Sequence, residues 1–351
     1  MALTPADLLQ PPRVTRGWFV VCWSHELGTK PIQRRLWGQP IVLFRGRDGA
    51  IGAAQDRCPH RNVPLSQGRV VDGCLECPYH GWRFTPDGAC AHIPGLANEQ
   101  ERASRRSHAL PVREAQGCIW VWPDADHAPD HEPFTFQHAE REGYLTVRRR
   151  VRAPATLHQV AENALDVPHT AFLHGGLFRT DGDRSPIECV VQRHADRAEC
   201  EYIGEARPEG LVGRLLSPSG GEVTHFDRFF LPSIVEVEYR IGEENHIVVN
   251  AAMTPIDDYD TELYAVVAVR TRIPSWLLRP LVQPIALWIF GQDRVVLKQQ
   301  TETMHAFGEQ RFVSTELDLL GPHILAMLRR AAEGKAAPER PSTPKRVTML
   351  V

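Results

Sequence analysis

Four residues in one stretch have the types and spacing to hold metal. Cys58-Pro-His60-Arg61 supplies a C-x-H pair and Cys77-Pro-Tyr-His80-Gly-Trp82 a C-x-x-H pair, with 16 residues between His60 and Cys77. Two thiolates and two imidazoles suit a tetrahedral zinc ion. They equally suit a two-iron, two-sulfide cluster in which two Cys hold one iron and two His the other. Structural zinc sites more often use paired cysteines and paired histidines. Here each short pair mixes one Cys with one His, so each iron of such a cluster draws one ligand from each loop tip.

A second group follows in the run Glu162-Asn163-Ala-Leu-Asp166-Val-Pro-His169-Thr-Ala-Phe-Leu-His174-Gly-Gly. A helix here would put Asp166 and His169 on one face, with the two glycines near its end. Two imidazoles this close invite a metal ion, or else cap and pack a helix as ordinary histidines.

The elements that must position these groups divide the chain. Short strands begin near Gly17, at residues 18–23 and 41–44, with Arg47-Asp48-Gly49 and Pro86-Asp87-Gly88 as turns and residues 118–122 as a closing strand. This turn spacing predicts a compact antiparallel β domain over 17–125, preceded by an arm, 1–16, with a short helix near 4–9. Residues 126–143 read as a linker. Residues 144–332 mix long strands with a helix over 155–173, a helix over 274–300 broken near Pro280 and Pro284, and a last helix near 322–330. The tail, 333–351, is rich in Pro, Lys, Arg, Ala and Ser and is expected to be disordered.

At the level of whole motifs, the stretch 58–82 resembles the Rieske motif, down to the flanking Pro59, Pro78, Gly81 and Trp82. The run 163–174 resembles the iron-binding segment of Rieske non-haem iron oxygenases, with Asn or Glu, then Asp, then two histidines. The resemblance covers about residues 17–305. It implies an α+β chain: an N-terminal all-β Rieske domain followed by a helix-grip, START-like catalytic domain. It implies that Cys58 and Cys77 hold the inner iron of a 2Fe-2S cluster and that His60 and His80 hold the exposed one. It gives His169 and His174 to a mononuclear Fe(II), and Asp166 to a contact with His80 of a neighbouring subunit's cluster. Glu162 and Asn163 fall in supporting places. The distal Asp of the family is best matched by Asp293, with Gln292 where many relatives have Glu. Asp257, Asp258 and Asp260 match less well, since they read as a turn between strands.

The resemblance further implies a terminal oxygenase that uses O₂. Its electrons come from NAD(P)H through a partner reductase, with or without a ferredoxin, and its assembly is a head-to-tail homotrimer. The length is closer to the compact monooxygenases and oxidative demethylases than to ring dihydroxylases. Hydroxylation or demethylation of a hydrophobic cyclic molecule, aromatic or sterol-like, is therefore the expected reaction, with arene cis-dihydroxylation second. A reading of another class, an electron carrier or zinc-binding scaffold, leaves His169, His174 and Asp293 without use. The apolar residues 276–290 are expected to wall the substrate pocket. Trp18 and Trp82 are expected in the β core, and His158 in helix packing.

Composition agrees. The chain has 351 residues, 42% hydrophobic and 24% charged, with a formal net charge of −3. No global field points to nucleic acid or an anionic membrane. No run of 18 apolar residues predicts a membrane span, and the N-terminus lacks a signal-peptide pattern. The eight cysteines suggest no disulfide framework. A cytoplasmic setting is expected.

Overall fold

The structure is a computed structural model that describes residues 10–97, 102–174, 185–205, 223–243, 245–338 and 340–350. The chain splits into two units, one of Thr15–Thr135 and one of Phe136–Val351 together with the arm up to Val14.

Antiparallel strands build the first unit. They are β1 (Phe19–Trp23), β2 (Ile32–Leu36), β3 (Gln39–Arg45), β4 (Ile51–Gln55), β5 (Arg69–Val71), β6 (Cys74–Glu76), β7 (Arg83–Phe84), β8 (Cys90–His92), β9 (Val112–Ala115) and β10 (Cys118–Val121). They form three small sheets, β1-β10-β9, β2-β3-β4 and β5-β6-β7-β8. Strand β3 is the spine, because its alternating side chains serve two cores. Ile41 and Leu43 pack with Val21, Ile119 and Val121. Val42 and Phe44 pack on the opposite face with Leu65, Leu75 and Phe84, and this second core also contains Cys58 and Cys77. The apolar pattern of one strand thus anchors both candidate metal loops.

In the second unit the long strands are β11 (Leu145–Ala153), β12 (Pro186–Arg193), β13 (Arg197–Ile203), β14 (Val223–Phe230), β15 (Ile234–Ile241), β16 (Asn245–Asp257), β17 (Asp260–Arg270) and β18 (Lys345–Leu350). They pair in the order β11-β17-β16-β15-β14-β13-β12-β18. The helices are α1 (Leu157–Ala164), α2 (His169–Leu173), α3 (Ser275–Phe307) and α4 (Gly321–Ala332). Helix α1 starts at a capping box: Gln159 N donates to Thr156 Oγ1 at 3.1 Å, and Thr156 N to Gln159 Oε1 at 3.0 Å. Its Leu157, Val160 and Ala161 are buried.

Four expectations need correction. The helix expected over 155–173 is two helices, because Pro168 disfavours helical geometry in the residue before it. Asp166 lies in the intervening turn. The helix expected to break near Pro280 and Pro284 is continuous. The two prolines are exposed and four apart, so the carbonyls they leave unpaired lie along one exposed side of the helix. The tail is not wholly disordered: Lys345–Leu350 pairs antiparallel with β12 and buries Met349. A polar composition hid this short alternating strand, whose partner lies far away in sequence. The linker is shorter than 126–143, since Phe136 and Ala139 are buried and belong to the second unit. The helix expected near 4–9 lies outside the described residues.

One buried polar group shapes the sheet. His225 on β14 is fully buried, and its ring lies between Tyr202 on β13, at 4.3 Å, and Tyr239 on β15, at 3.9 Å. Its Nδ1 meets Glu205 Oε2 at 2.7 Å and its Nε2 meets Asp227 Oδ1 at 3.0 Å. Burial alone would lower the imidazole pKa, but the carboxylates of Asp227 and Glu205 outweigh it and raise the value from 6.5 to about 9. A raised folded-state pKa contributes stability that is complete below the unfolded value and is lost as pH rises through the folded one. The stability gap between wild type and His225→Gln should therefore be widest below pH 6.5 and narrow as pH rises from there to about 9. Denaturation of both chains across that range checks this, and a gap that stays constant would refute it.

Candidate metal centres

In the first unit the two mixed pairs sit on tight turns. Asn62 N donates to Cys58 O at 2.9 Å and Cys58 N to Val63 O at 2.9 Å. Cys77 N donates to Trp82 O at 2.8 Å and Gly81 N to Cys77 O at 3.1 Å. Gly81 has φ +67°, a conformation that suits glycine. Cys58 and Cys77 are buried, His60 is half-buried and His80 exposed. The His60 and His80 rings lie 4.6 Å apart. Burial raises the Cys58 thiol to about 11, with Cys77 adding to it, while backbone N–H groups of His60 and Arg61 favour the thiolate. His60 Nδ1 is a buried nitrogen with no hydrogen-bond partner. Two adjacent sulfurs and an unpartnered imidazole nitrogen are donors that metal would satisfy, so the residues present fit a Cys₂His₂ iron–sulfur cluster.

Trp82 is half-buried and packs against the second core, as expected, and its ring also stacks on His60 at 4.8 Å with an interplanar angle of 7°. Tyr79, 62% exposed, packs against His80 at 3.8 Å. His80 and Trp82 share the second loop, and both meet His60 of the first.

In the second unit the structure brings His169, His174 and Asp293 together, with one ligand atom of each within 4.8 Å of the others. His169 opens α2, His174 follows its end, and Asp293 lies on α3. The hydrogen bonds dictate which ring atoms face inward. His169 Nδ1 donates to the Asp166 carbonyl oxygen, and the Asp166 carboxylate is 3.3 Å from the same nitrogen. His174 Nδ1 donates to Gln292 Oε1 at 2.8 Å. With both protons on Nδ1, both Nε2 atoms carry lone pairs. Those Nε2 atoms are 3.3 Å apart, and Asp293 Oδ1 lies 3.5 Å from one and 3.1 Å from the other. Three acceptors converging on one point repel each other unless a cation lies among them. Two nitrogens and one carboxylate oxygen suit non-haem iron with open positions.

The surrounding carboxylates favour positive charge at this point, whether a proton on His169 or a cation in its place. Burial works against charge on His169, but Asp166 and Asp293 raise its pKa to about 9. Burial likewise pushes the Asp293 carboxyl up, yet the two histidines hold it below the usual range. Asn163 Nδ2 approaches Asp293 Oδ1 at 3.5 Å. Glu162 is raised to about 7 by burial, then by Asp318 and Asp166. His158 is buried and hydrogen-bonds the Gly321 carbonyl at 2.9 Å, in the packing role expected of it. A cavity of about 590 Å³ opens beside Asn163, Asp166 and His169. Among the described residues its α3 wall comes from residues 296–303 and not from the expected 276–290. Trp276, Leu277, Leu287 and Trp288 are exposed instead.

Comparison with known proteins now has a geometry to act on. Residues 17–112 match the Rieske [2Fe-2S] domain family, and residues 153–334 match the vanillate O-demethylase oxygenase C-terminal domain family. The chain belongs to the Rieske non-haem iron oxygenases. Within that family it is 34% identical to the oxygenase component of dicamba O-demethylase from Stenotrophomonas maltophilia, over 51% of this chain and 53% of the relative. It is 27% identical to a vanillate O-demethylase oxygenase subunit from a Pseudomonas species, over 92% of this chain and 96% of the relative. The chain spans about half the length of several of the curated relatives it matches. The crystal structure of dicamba monooxygenase bound to 3,6-dichlorosalicylic acid shares the fold, with TM-score 0.76 at 23% identity over 92% of this chain and 98% of that one. The expected α+β architecture, a β Rieske domain before a sheet-dominated catalytic domain, therefore holds. Among the described residues no helix is long and apolar enough to cross a membrane.

Proposed function

We propose that this chain is the terminal oxygenase of a Rieske system that hydroxylates or oxidatively demethylates a hydrophobic cyclic substrate. The observation that carries the proposal is the convergence of His169, His174 and Asp293 in a chain that also contains a Rieske domain. An electron carrier or zinc scaffold has no need of that second donor set. The relatives named for O-demethylation favour demethylation of an aromatic ether over cis-dihydroxylation.

The residues then divide the work. Cys58, Cys77, His60 and His80 hold the 2Fe-2S cluster, and Trp82 covers the His60 ring. His169, His174 and Asp293 hold Fe(II), with Asp166 and Gln292 fixing the two imidazoles. Asn163 steadies the Asp293 carboxylate. When bound, the two groups supply one-electron transfer and activation of O₂. The Asp166 carboxylate, 34% exposed, would meet His80 of a neighbouring copy in a head-to-tail homotrimer. Electrons originate from NAD(P)H through a reductase, with or without a ferredoxin. The free cysteines suit the reducing cytoplasm.

Purified chain is expected to be red-brown, with two cluster irons and one further iron per chain. On reduction it should show a Rieske-type EPR signal. With a reductase and NADH it should release formaldehyde from an aromatic methyl ether. Stoichiometric zinc and a colourless protein would end this reading. A cis-diol product would move it to the dihydroxylases.

A further inference from the structure

The two imidazoles of the second centre have different Nδ1 partners. His169 Nδ1 has both the carbonyl and the carboxylate of Asp166. His174 Nδ1, on a side chain only 2% exposed, is held by the neutral amide of Gln292 at 2.8 Å. Gln292 and Asp293 are consecutive on α3, so their side chains leave the helix about 100° apart. They reach opposite edges of one ring: Asp293 Oδ1 is 3.1 Å from His174 Nε2, and Gln292 Oε1 takes the proton of Nδ1.

We propose that Gln292 is a positioning residue that fixes His174 as the Nδ1–H tautomer, so that Nε2 faces the metal. This rests on the metal reading of His169, His174 and Asp293. The amide oxygen has no proton to give, so the ring must donate through Nδ1. Being uncharged, the amide orients the imidazole without adding to its basicity as a carboxylate would. One site helix supplies both an anionic ligand and the neutral acceptor that aims its neighbour.

The test is Co(II) uptake by the full, cluster-loaded chain after its mononuclear iron has been chelated, for wild type, Gln292→Leu and Gln292→Glu. Gln292→Leu is expected to weaken Co(II) binding by about 10–100-fold, as loss of an outer hydrogen-bond partner does. It should also change the visible bands of bound Co(II) while leaving the Rieske absorption unaltered. Gln292→Glu keeps the acceptor and adds charge, so its affinity should equal or exceed that of wild type, with shifted Co(II) bands. Wild-type uptake matched by Gln292→Leu in affinity and spectrum would overturn the role of Gln292 alone. So would a Gln292→Glu chain as weak as Gln292→Leu. A wild-type chain that bound no Co(II) at this site would overturn the metal reading and this inference together.

Discussion

Asp166→Asn is expected to leave the fold and both metal contents intact while slowing oxidation of the reduced cluster by O₂ and substrate about 100-fold. The backbone carbonyl of Asp166 accepts from His169 Nδ1, and that bond survives the substitution. What changes is the carboxylate, 34% exposed and 3.3 Å from the same ring. An anionic acceptor can bridge His169 and a neighbouring copy's His80, ordering both imidazoles along a short bonded route. An amide also offers an acceptor oxygen, but without the charge that strengthens such a bond. Outer-sphere partners of metal ligands typically carry 10–100-fold in activity, and this one would serve two centres. Stopped-flow absorbance of the cluster during single turnover measures the effect, with iron analysis as the control. Wild-type kinetics in the variant would remove the proposed electron route. Loss of mononuclear iron would show that the Asp166 carboxylate supports iron binding rather than electron transfer alone.

Asp293→Asn should do the converse. The Rieske absorption and EPR signal stay, while Fe(II) affinity at the second centre falls by about 100-fold or more, beyond the range of an outer-sphere loss. The Asp293 carboxylate is the anion in contact with both Nε2 atoms, at 3.5 and 3.1 Å. An amide brings no charge to balance the cation, and its NH₂ group offers no lone pair. The substitution also alters the neighbourhood of Asn163, whose own amide lies 3.5 Å away. Ferrozine titration of released iron, with cluster absorbance recorded on the same sample, separates the two centres. Full retention of the third iron would assign the carboxylate ligand elsewhere. Parallel loss of the cluster would show misfolding instead, which Asp293→Glu, with its retained charge, would resolve.

Pairs of close neighbours determined much of the candidate chemistry from the sequence alone. The C-x-H and C-x-x-H pairs, and the two histidines near Asp166, are local because each set lies within a few residues of chain. The spacing of turns between short apolar runs, that of β3 among them, likewise foretold a β domain. Tertiary structure decided what those pairs meet. His174 and Gln292 are 118 residues apart, and only the packing of α3 in the second unit brings that amide to the ring. Gln292 itself carries no local mark of its role. The helix expected to align Asp166 with His169 is broken before Pro168, and a turn with a backbone carbonyl achieves the contact instead. Trp82 reads as core, and only the approach of the first loop tip adds the His60 ring to its contacts. The tail reads as disordered until β12 offers an edge. Ligand type and spacing are properties of a short segment, whereas shared burial, strand pairing and the orientation of a ring depend on residues that meet only after the chain has folded.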